Sequence, residues 1–382
     1  MRPRVLVIGQ GPAGLTVASL LAHLADVTIV SASQGTLGLF SATLDFMGRD
    51  RSGRPAEDPY AAWADGTAGL GEAAGTADWP SLWGWLARVL REAGIPYPAE
   101  PPSRNSWVIS ASGTPRPTYL VPGWVLSMGR PSGLVFLGMP GLSDTPAPYL
   151  AHRYSAATGR ETLVAELDDL AEPWDVMRWA GYLDRPEGME RFLRAVRGVR
   201  APRDLPWVMP GILGIRKTEE ILDRLADDGI RLLEMTSVPP AVAGVRLDER
   251  WRAFLRAQGV MRKSGRVVRL ETGKAHLADG TELRFDGVIR ATGGVLGGGL
   301  RLRSDFVAVD DLTGQELGPV RDATTLARLG IADVTAAGAD RGGMDPAREG
   351  CGMGAVLLTA YQAARTLQKR LGLGPLPPDM EA

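Results

Sequence analysis

A chain of 382 residues is too long for one ordinary core and points to two domains. With 45% hydrophobic and 23% charged residues its composition is that of a globular protein, and 43 basic against 44 acidic residues leave a net charge of −1, which excludes a generally basic nucleic-acid binder. The single cysteine, Cys351, excludes an intrachain disulfide framework and a thiolate cluster, and the three histidines, His23, His152 and His276, lack metal-ligand spacing. No metal is expected. Nor is there a run of about 18 apolar residues that would read as a membrane span, so a cytoplasmic location is the expectation.

Along the chain, Arg4 to Ile8 reads as a short buried strand. Gly9-Gln-Gly11-Pro12-Ala13-Gly14 follows, and then an apolar helix from Leu15 to Leu24. This is G-x-G-x-x-G in the strand–turn–helix setting that binds a nucleotide phosphate. Gly9 permits the turn, Gly11 the approach of the phosphate, and Gly14 close packing of helix on strand. The second strand, Val27 to Val30, runs into Ser31, and no carboxylate appears until Asp45. A dinucleotide fold ordinarily places a ribose-binding acid there. Ser31 or Ser33 offers only a weaker hydrogen bond.

From Trp79 to Thr236 a second domain is expected. It opens on a helix, Ser81 to Ala93, whose Trp83 and Trp85 read as core or interface. Paired strands follow, with turns at Gly113 and at Pro115–Pro117, and then amphipathic helices. The stretches "GRVVRLETG", "KAHLADGTELRF" and "DGVIRATGG" read as a β-meander with a tight turn at Asp279-Gly280. The last of these ends in Thr292-Gly293. A strand over Val334–Ala337, a turn at Gly338 and a long helix beginning near Gly352 complete the pattern. Gly350, Gly352 and Gly354 at alternate positions are costly in a helix, at about 1 kcal/mol each relative to alanine, which suggests a backbone approached closely by a cofactor.

The segments "VIGQGPAGL", "ATGG" and "AAGADRGG" resemble flavoproteins with a split dinucleotide-binding domain. "SATLDFMG", "VPPAVAGVRLDERWRAFLRAQGV" and "GGMDPAREGCGMGA" sharpen this into a resemblance to the B subunit of anaerobic glycerol-3-phosphate dehydrogenase, nearly end to end. The resemblance implies an α/β fold. It would comprise a split Rossmann-like flavin-binding domain (residues 1–78 and 237–382) carrying the β-meander, and an inserted α+β cap domain (79–236). It implies a flavin: FMN, as that subunit is usually assigned, with FAD the alternative. Its partners in the complex would be a larger catalytic flavoprotein and an iron–sulfur protein at the inner face of the cytoplasmic membrane. The complex would oxidise sn-glycerol 3-phosphate to dihydroxyacetone phosphate and pass electrons to quinone. Two expectations compete with this one: a non-catalytic member of such a complex, serving electron transfer or assembly, and a stand-alone flavin oxidase.

Cofactor contacts are expected from Gly9, Gly11, Pro12, Ala13 and Gly14 at the first turn and from Ser41 and Thr43 in the hydroxyl-rich turn. Thr292, Gly293, Gly338, Gly352 and Gly354 complete the set. Asp45 reads equally well as closing its own turn or as approaching the cofactor. Asp340 stands one residue later than the acid of the usual flavoprotein "AGD" turn, so it does not inherit that role. A phosphate dianion calls for charge-assisted donors. Arg246 is the first candidate and Arg348 the second, ahead of Arg153, Arg216 and Lys217; each competes with a plain surface ion pair. His152 is a weak candidate base.

Overall fold

The computed structural model describes residues 1–65, 78–331, 335–343 and 345–380. Its first sheet joins strands from both ends of the chain, in the order Gly287–Arg290, Arg4–Ile8, Asp26–Ser31, Met261–Ser264, all parallel. Parallel strands covered on both faces favour unbroken apolar runs, and Val5, Leu6, Val7 and Ile8 are all buried. The crossover between the first two strands is the helix Pro12–Leu21. Its proline sits in the first turn, where the missing N–H has no partner to lose. This helix packs along the last one, Gly352–Leu371, which ends on the left-handed Gly372 with Lys369 and Arg370 in its final turn.

The expected meander divides. Val267–Glu271, Lys274–Leu277 and Glu282–Arg284 form an antiparallel sheet, but Gly287–Arg290 leaves it to pair with the first strand. Two contacts account for the departure. The Asp286 carboxylate accepts the Arg4 backbone N–H at 2.7 Å, and Gly287 lies so close under the last helix that a Cβ there would meet Leu367 at 2.4 Å. A further three-stranded antiparallel sheet follows at Leu300–Leu302, Val307–Asp310 and Glu316–Pro319. Of the strand expected over Val334–Ala337, the described residues show the single parallel bridge Arg290–Ala336. Val334 itself, and Met344 of the "GGMDP" segment, lie outside the described residues.

Residues 79–236 do not share one core. Trp83, Trp85, Tyr119 and Trp124 join the core of the first sheet, so both helix tryptophans are packing residues. A second core surrounds a second parallel sheet, ordered Thr162–Glu166, Leu134–Gly138, Trp207–Met209, Leu232–Glu234. Helix Ala147–Thr158 covers one face through Leu150 and Tyr154. Helices Val176–Leu183, Pro186–Gly198 and Thr218–Asp227 cover the other. Residues 134–234 therefore form a parallel α/β layer. The hairpin Ser106–Ile109 with Pro115–Thr118 is present around Gly113, and Pro115 and Pro117 fall in its second strand instead of forming a turn. Proline is tolerated there because the two-stranded ribbon leaves one edge unpaired.

Candidate functional site

The first glycine turn is fixed by contacts on both sides. Gly9 has φ +112° and donates its N–H to Val30 O at 2.8 Å. A Cβ there would fall 2.0 Å from Ala291 O. Gly11 differs, since a Cβ at that position would meet nothing nearer than Thr36 Oγ1 at 3.4 Å. Packing does not require glycine at 11. Gly11 is the N-cap of the first helix and brings no side chain to its free N–H groups, which leaves that helix end bare for an anion.

The turn borders a cavity of about 650 Å³ at the C-terminal ends of the first sheet's strands. Its walls come from residues 8–11, 30–33, 35, 36, 39, 265–267, 290–293, 295–302, 311 and 312. This edge is where open parallel sheets bind ligands. A smaller hollow of about 240 Å³ lies at the opposite end of the strands, around Asp26–Thr28 and Gly259–Met261, away from both glycine turns.

The second turn meets the first. Gly338, at φ +66°, leaves so little room that a Cβ would come within 2.7 Å of Ala13 Cβ at the start of the first helix. Its N–H donates to Thr359 Oγ1 of the last helix at 2.8 Å. Asp340 is wholly buried. One oxygen of its carboxylate accepts from Thr292 N at 2.5 Å and Thr292 Oγ1 at 2.6 Å; the other accepts from Gly294 N at 2.8 Å. Asp340 thus ties the Gly338–Asp340 turn to the Thr292–Gly294 turn and faces protein donors.

The Ser41–Asp45 turn closes over the start of the last helix. The Asp45 carbonyl accepts from Met353 N at 3.0 Å and Gly354 N at 2.9 Å, satisfying two helix-end donors. The Asp45 backbone carbonyl thus holds the last helix, while its carboxylate turns to Arg116 and Thr118 and not to the N–H groups of its own turn. Gly354 must be small because a Cβ would come within 2.7 Å of the Phe46 ring, whereas at Gly352 the nearest atom, Pro346 Cβ, is 3.8 Å away. Packing alone accounts for the first of these glycines and not for the second.

Arg116, which sequence reasoning did not single out, organises the hydroxyls of this turn. Its guanidinium donates to Asp45 Oδ1 at 2.9 Å and to Thr43 Oγ1 at 2.6 Å. Thr118 Oγ1 also donates to Asp45. Thr43 Oγ1 and Ser41 Oγ are 2.9 Å apart. Arginine can only donate, and one hydroxyl proton serves the Ser41–Thr43 bond, so the pair retains one O–H to offer outward. The signal available in the sequence was an arginine between two prolines, "TPRPT", in a strand that has to pair with something.

The expected anion binders stand elsewhere. Arg246 is completely buried. It donates to Glu234 Oε1 at 2.7 Å and to Gly214 O at 2.6 Å, with its second terminal nitrogen on Glu234 Oε2. Its charge is neutralised inside the protein, so it presents nothing to a dissolved phosphate. Arg348 is exposed on the short turn Pro346–Glu349. His152 is exposed on the helix that covers the second sheet. None of the three borders the 650 Å³ cavity.

No protein-family model matches the chain. The probable B subunit of anaerobic glycerol-3-phosphate dehydrogenase from Halobacterium salinarum is 30% identical over 420 residues, spanning 94% of this chain and 96% of that one. The B subunit of anaerobic glycerol-3-phosphate dehydrogenase from Pectobacterium carotovorum is 25% identical over 427 residues, spanning 97% and 99%. Among solved structures, iminodiacetate oxidase from Chelativorans sp. BNC1 aligns at 16% identity over 98% of this chain and 96% of that one, with a TM-score of 0.34. A superposition that loose carries no functional argument.

Proposed function

This chain belongs to the family formed by the B subunits of anaerobic glycerol-3-phosphate dehydrogenases, and on that premise we propose that it is the flavin-bearing member of a multi-subunit dehydrogenase. The complex oxidises sn-glycerol 3-phosphate to dihydroxyacetone phosphate and passes the electrons to quinone. A larger catalytic flavoprotein and an iron–sulfur protein complete it and hold this chain at the inner face of the membrane. Among the described residues no helix is long and apolar enough to cross a membrane.

The observation that carries the reading is the meeting of two distant glycine turns, the first of which borders the 650 Å³ cavity. Gly338 abuts Ala13, and Asp340 holds Thr292 and Gly294 beside Gly9. The residues suit a flavin. Gly9, Gly11, Pro12, Ala13 and Gly14 receive its phosphate at the helix start, where bare N–H groups and the helix dipole favour an anion. Thr292, Gly293 and Gly338 line its path. Ser41 and Thr43 supply a hydroxyl donor, and Gly352 and Gly354 bring the start of the last helix close. A bound flavin supplies the two-electron chemistry; the protein positions it and tunes its surroundings.

A second reading, in which this chain relays electrons or supports assembly while substrate is oxidised on the partner flavoprotein, is favoured by the buried state of Arg246 and the remote position of His152. Anaerobic titration with glycerol 3-phosphate tests both. Bleaching of the isolated chain's visible absorbance supports turnover here. Bleaching only after the partner flavoprotein is added supports the relay. Folded protein that is colourless and takes up neither FMN nor FAD defeats both readings.

A further inference from the structure

The second parallel sheet ends in a strand whose outer side meets nothing. We propose that this strand, Thr162–Glu166, pairs with the same strand of a second copy of the chain, antiparallel about a two-fold axis through Val164, so that the two sheets run on as one. The inference goes beyond the functional reading and does not depend on the cofactor.

The backbone of this strand is committed on one side only. It pairs with Leu134–Gly138 in unbroken register, and the flanking bonds, from Leu134 N to Glu161 O at 3.4 Å and from Leu167 N to Gly138 O at 2.9 Å, fix which residues face inward. In a parallel ladder alternate residues bond the same neighbour, so Leu163 and Ala165 join Glu161 and Leu167 on the inner side. Thr162, Val164 and Glu166 therefore direct their N–H and C=O groups outward, and among the described residues no backbone bond meets them there. The opposite edge of the sheet is not free, because Glu234 bridges to Val125. Natural edge strands are guarded by lysine, proline or a bulge. Met261–Ser264, an outer strand of the first sheet, carries Arg262 and Lys263. Thr162–Glu166 has no lysine, proline or bulge, and its centre is Leu163, Val164 and Ala165, with Val164 43% exposed.

A second copy is the occupant because the strand is complementary to itself. Antiparallel pairing about Val164 sets Val164 against Val164 and Thr162 against Glu166, and it is the one register that uses all three outward residues of both copies. The same register brings Arg160, two residues before the strand, level with Asp168 of the other copy, two residues after it, and symmetry repeats this at the far end. Both residues are exposed, and among the described residues neither side chain has an ion-pair partner within its own chain. Opposite charges facing across strands stabilise the pairing, and no like charges face each other from residue 160 to residue 168. The axis stands normal to the sheet, so the two Ala147–Thr158 helices lie on one face. Each is tied to its edge strand by the bond from Thr162 Oγ1 to Ala151 O at 3.4 Å and carries the exposed Tyr149.

Sedimentation velocity of the full-length chain, from low to high micromolar concentration, tests the proposal, with hydrogen exchange of residues 161–168 as the local readout. A reversible dimer is expected, in which the amides of Thr162, Val164 and Glu166 exchange slowly and from which dilution releases them. Val164→Lys sets two like charges against each other at the axis and should weaken association roughly tenfold. Arg160→Asp and Asp168→Arg should each weaken it roughly tenfold, because symmetry applies each change at both ends. The double variant Arg160→Asp/Asp168→Arg restores opposite charges and should return to within about twofold of wild type, a rescue that a folding defect would not give. A chain that stays monomeric throughout overturns the inference; if residues 161–168 are then protected only in an assembled complex, the edge belongs to a different subunit. A dimer that withstands Val164→Lys and is indifferent to the charge exchange is joined elsewhere, which overturns it as well.

Discussion

Replacing Glu234 by glutamine separates a structural arginine from a substrate-binding one. Glu234 and Arg246 have 0% exposed side chains and are bonded to each other through both carboxylate oxygens. Glu234 also accepts the Leu213 N–H at 2.7 Å. The pair fastens the helix Val242–Ala257 to the strand Leu232–Glu234, so it spans the two cores. Removing one partner of a buried ion pair leaves an uncompensated charge at a cost of about 3–5 kcal/mol. For a large domain about 2 °C of melting temperature corresponds to each kcal/mol, so Glu234→Gln should melt about 6–10 °C lower. Arg246→Met should be destabilised similarly. The double variant Glu234→Met/Arg246→Met carries no buried charge and should recover to within about 2 °C of wild type, because a well-packed apolar pair often matches a buried ionic one. Differential scanning calorimetry of these proteins, with Glu234→Met added as the matching single variant, closes the cycle. The reasoning fails if Glu234→Gln melts with wild type or if the double variant is no better than either single. A double variant that melts normally but loses the response to glycerol 3-phosphate would return Arg246 to the substrate.

Three further outcomes are expected. Ser41→Ala/Thr43→Ala removes the outward hydroxyl of the turn and should lower flavin occupancy and shift the visible spectrum; unchanged occupancy and spectrum would sever that turn from the cofactor. Asp340→Asn points an amide N–H at one of the donors the carboxylate now accepts, and the loss of charged hydrogen bonds should cost about 1.5–3 kcal/mol in urea unfolding, with lower flavin content; wild-type stability would mean that Asp340 does not hold the Thr292–Gly294 turn. Burial pushes the Asp248 carboxyl up to about 6 against the opposing pull of Arg252. The folded state therefore holds that proton more tightly than the unfolded one, and the stability so gained is full below about pH 4 and is lost as pH rises through 6. Urea unfolding of wild type minus Asp248→Asn at pH 4 to 7 should show that decline, and a flat difference would rule it out.

Local chemistry made the first strand, its glycine turn and the following helix readable, because each is specified by neighbours within about twenty residues. The hairpin around Gly113 was readable for the same reason. Features set by distant partners were not. Arg246 stood out for its segment, but its role depends on Glu234, which arrives on a strand of another sheet. Arg116 acquires its function only when Pro115–Thr118 faces Asp45, 71 residues away in sequence. The second parallel sheet hides in runs such as "LVFLG" and "WVM", which are buried on both faces and show no alternation to separate them from helix. The meander misled at its last strand because antiparallel and parallel partners ask for similar apolar residues; the Asp286 contact with Arg4 decides between them.

The first strand's neighbour, Gly287–Arg290, is translated nearly three hundred residues after it, and the helix seated on the Asp45 carbonyl later still. During synthesis the opening βαβ segment therefore emerges with an unzipped edge and an uncovered apolar helix, while the sheet of Leu134–Glu234 has all of its strands in hand much sooner. Contacts between distant segments form slowly and late. The layer of residues 134–234 has its partners early, whereas the Asp45 carbonyl waits for the backbone N–H groups of Met353 and Gly354 until the last helix has been made.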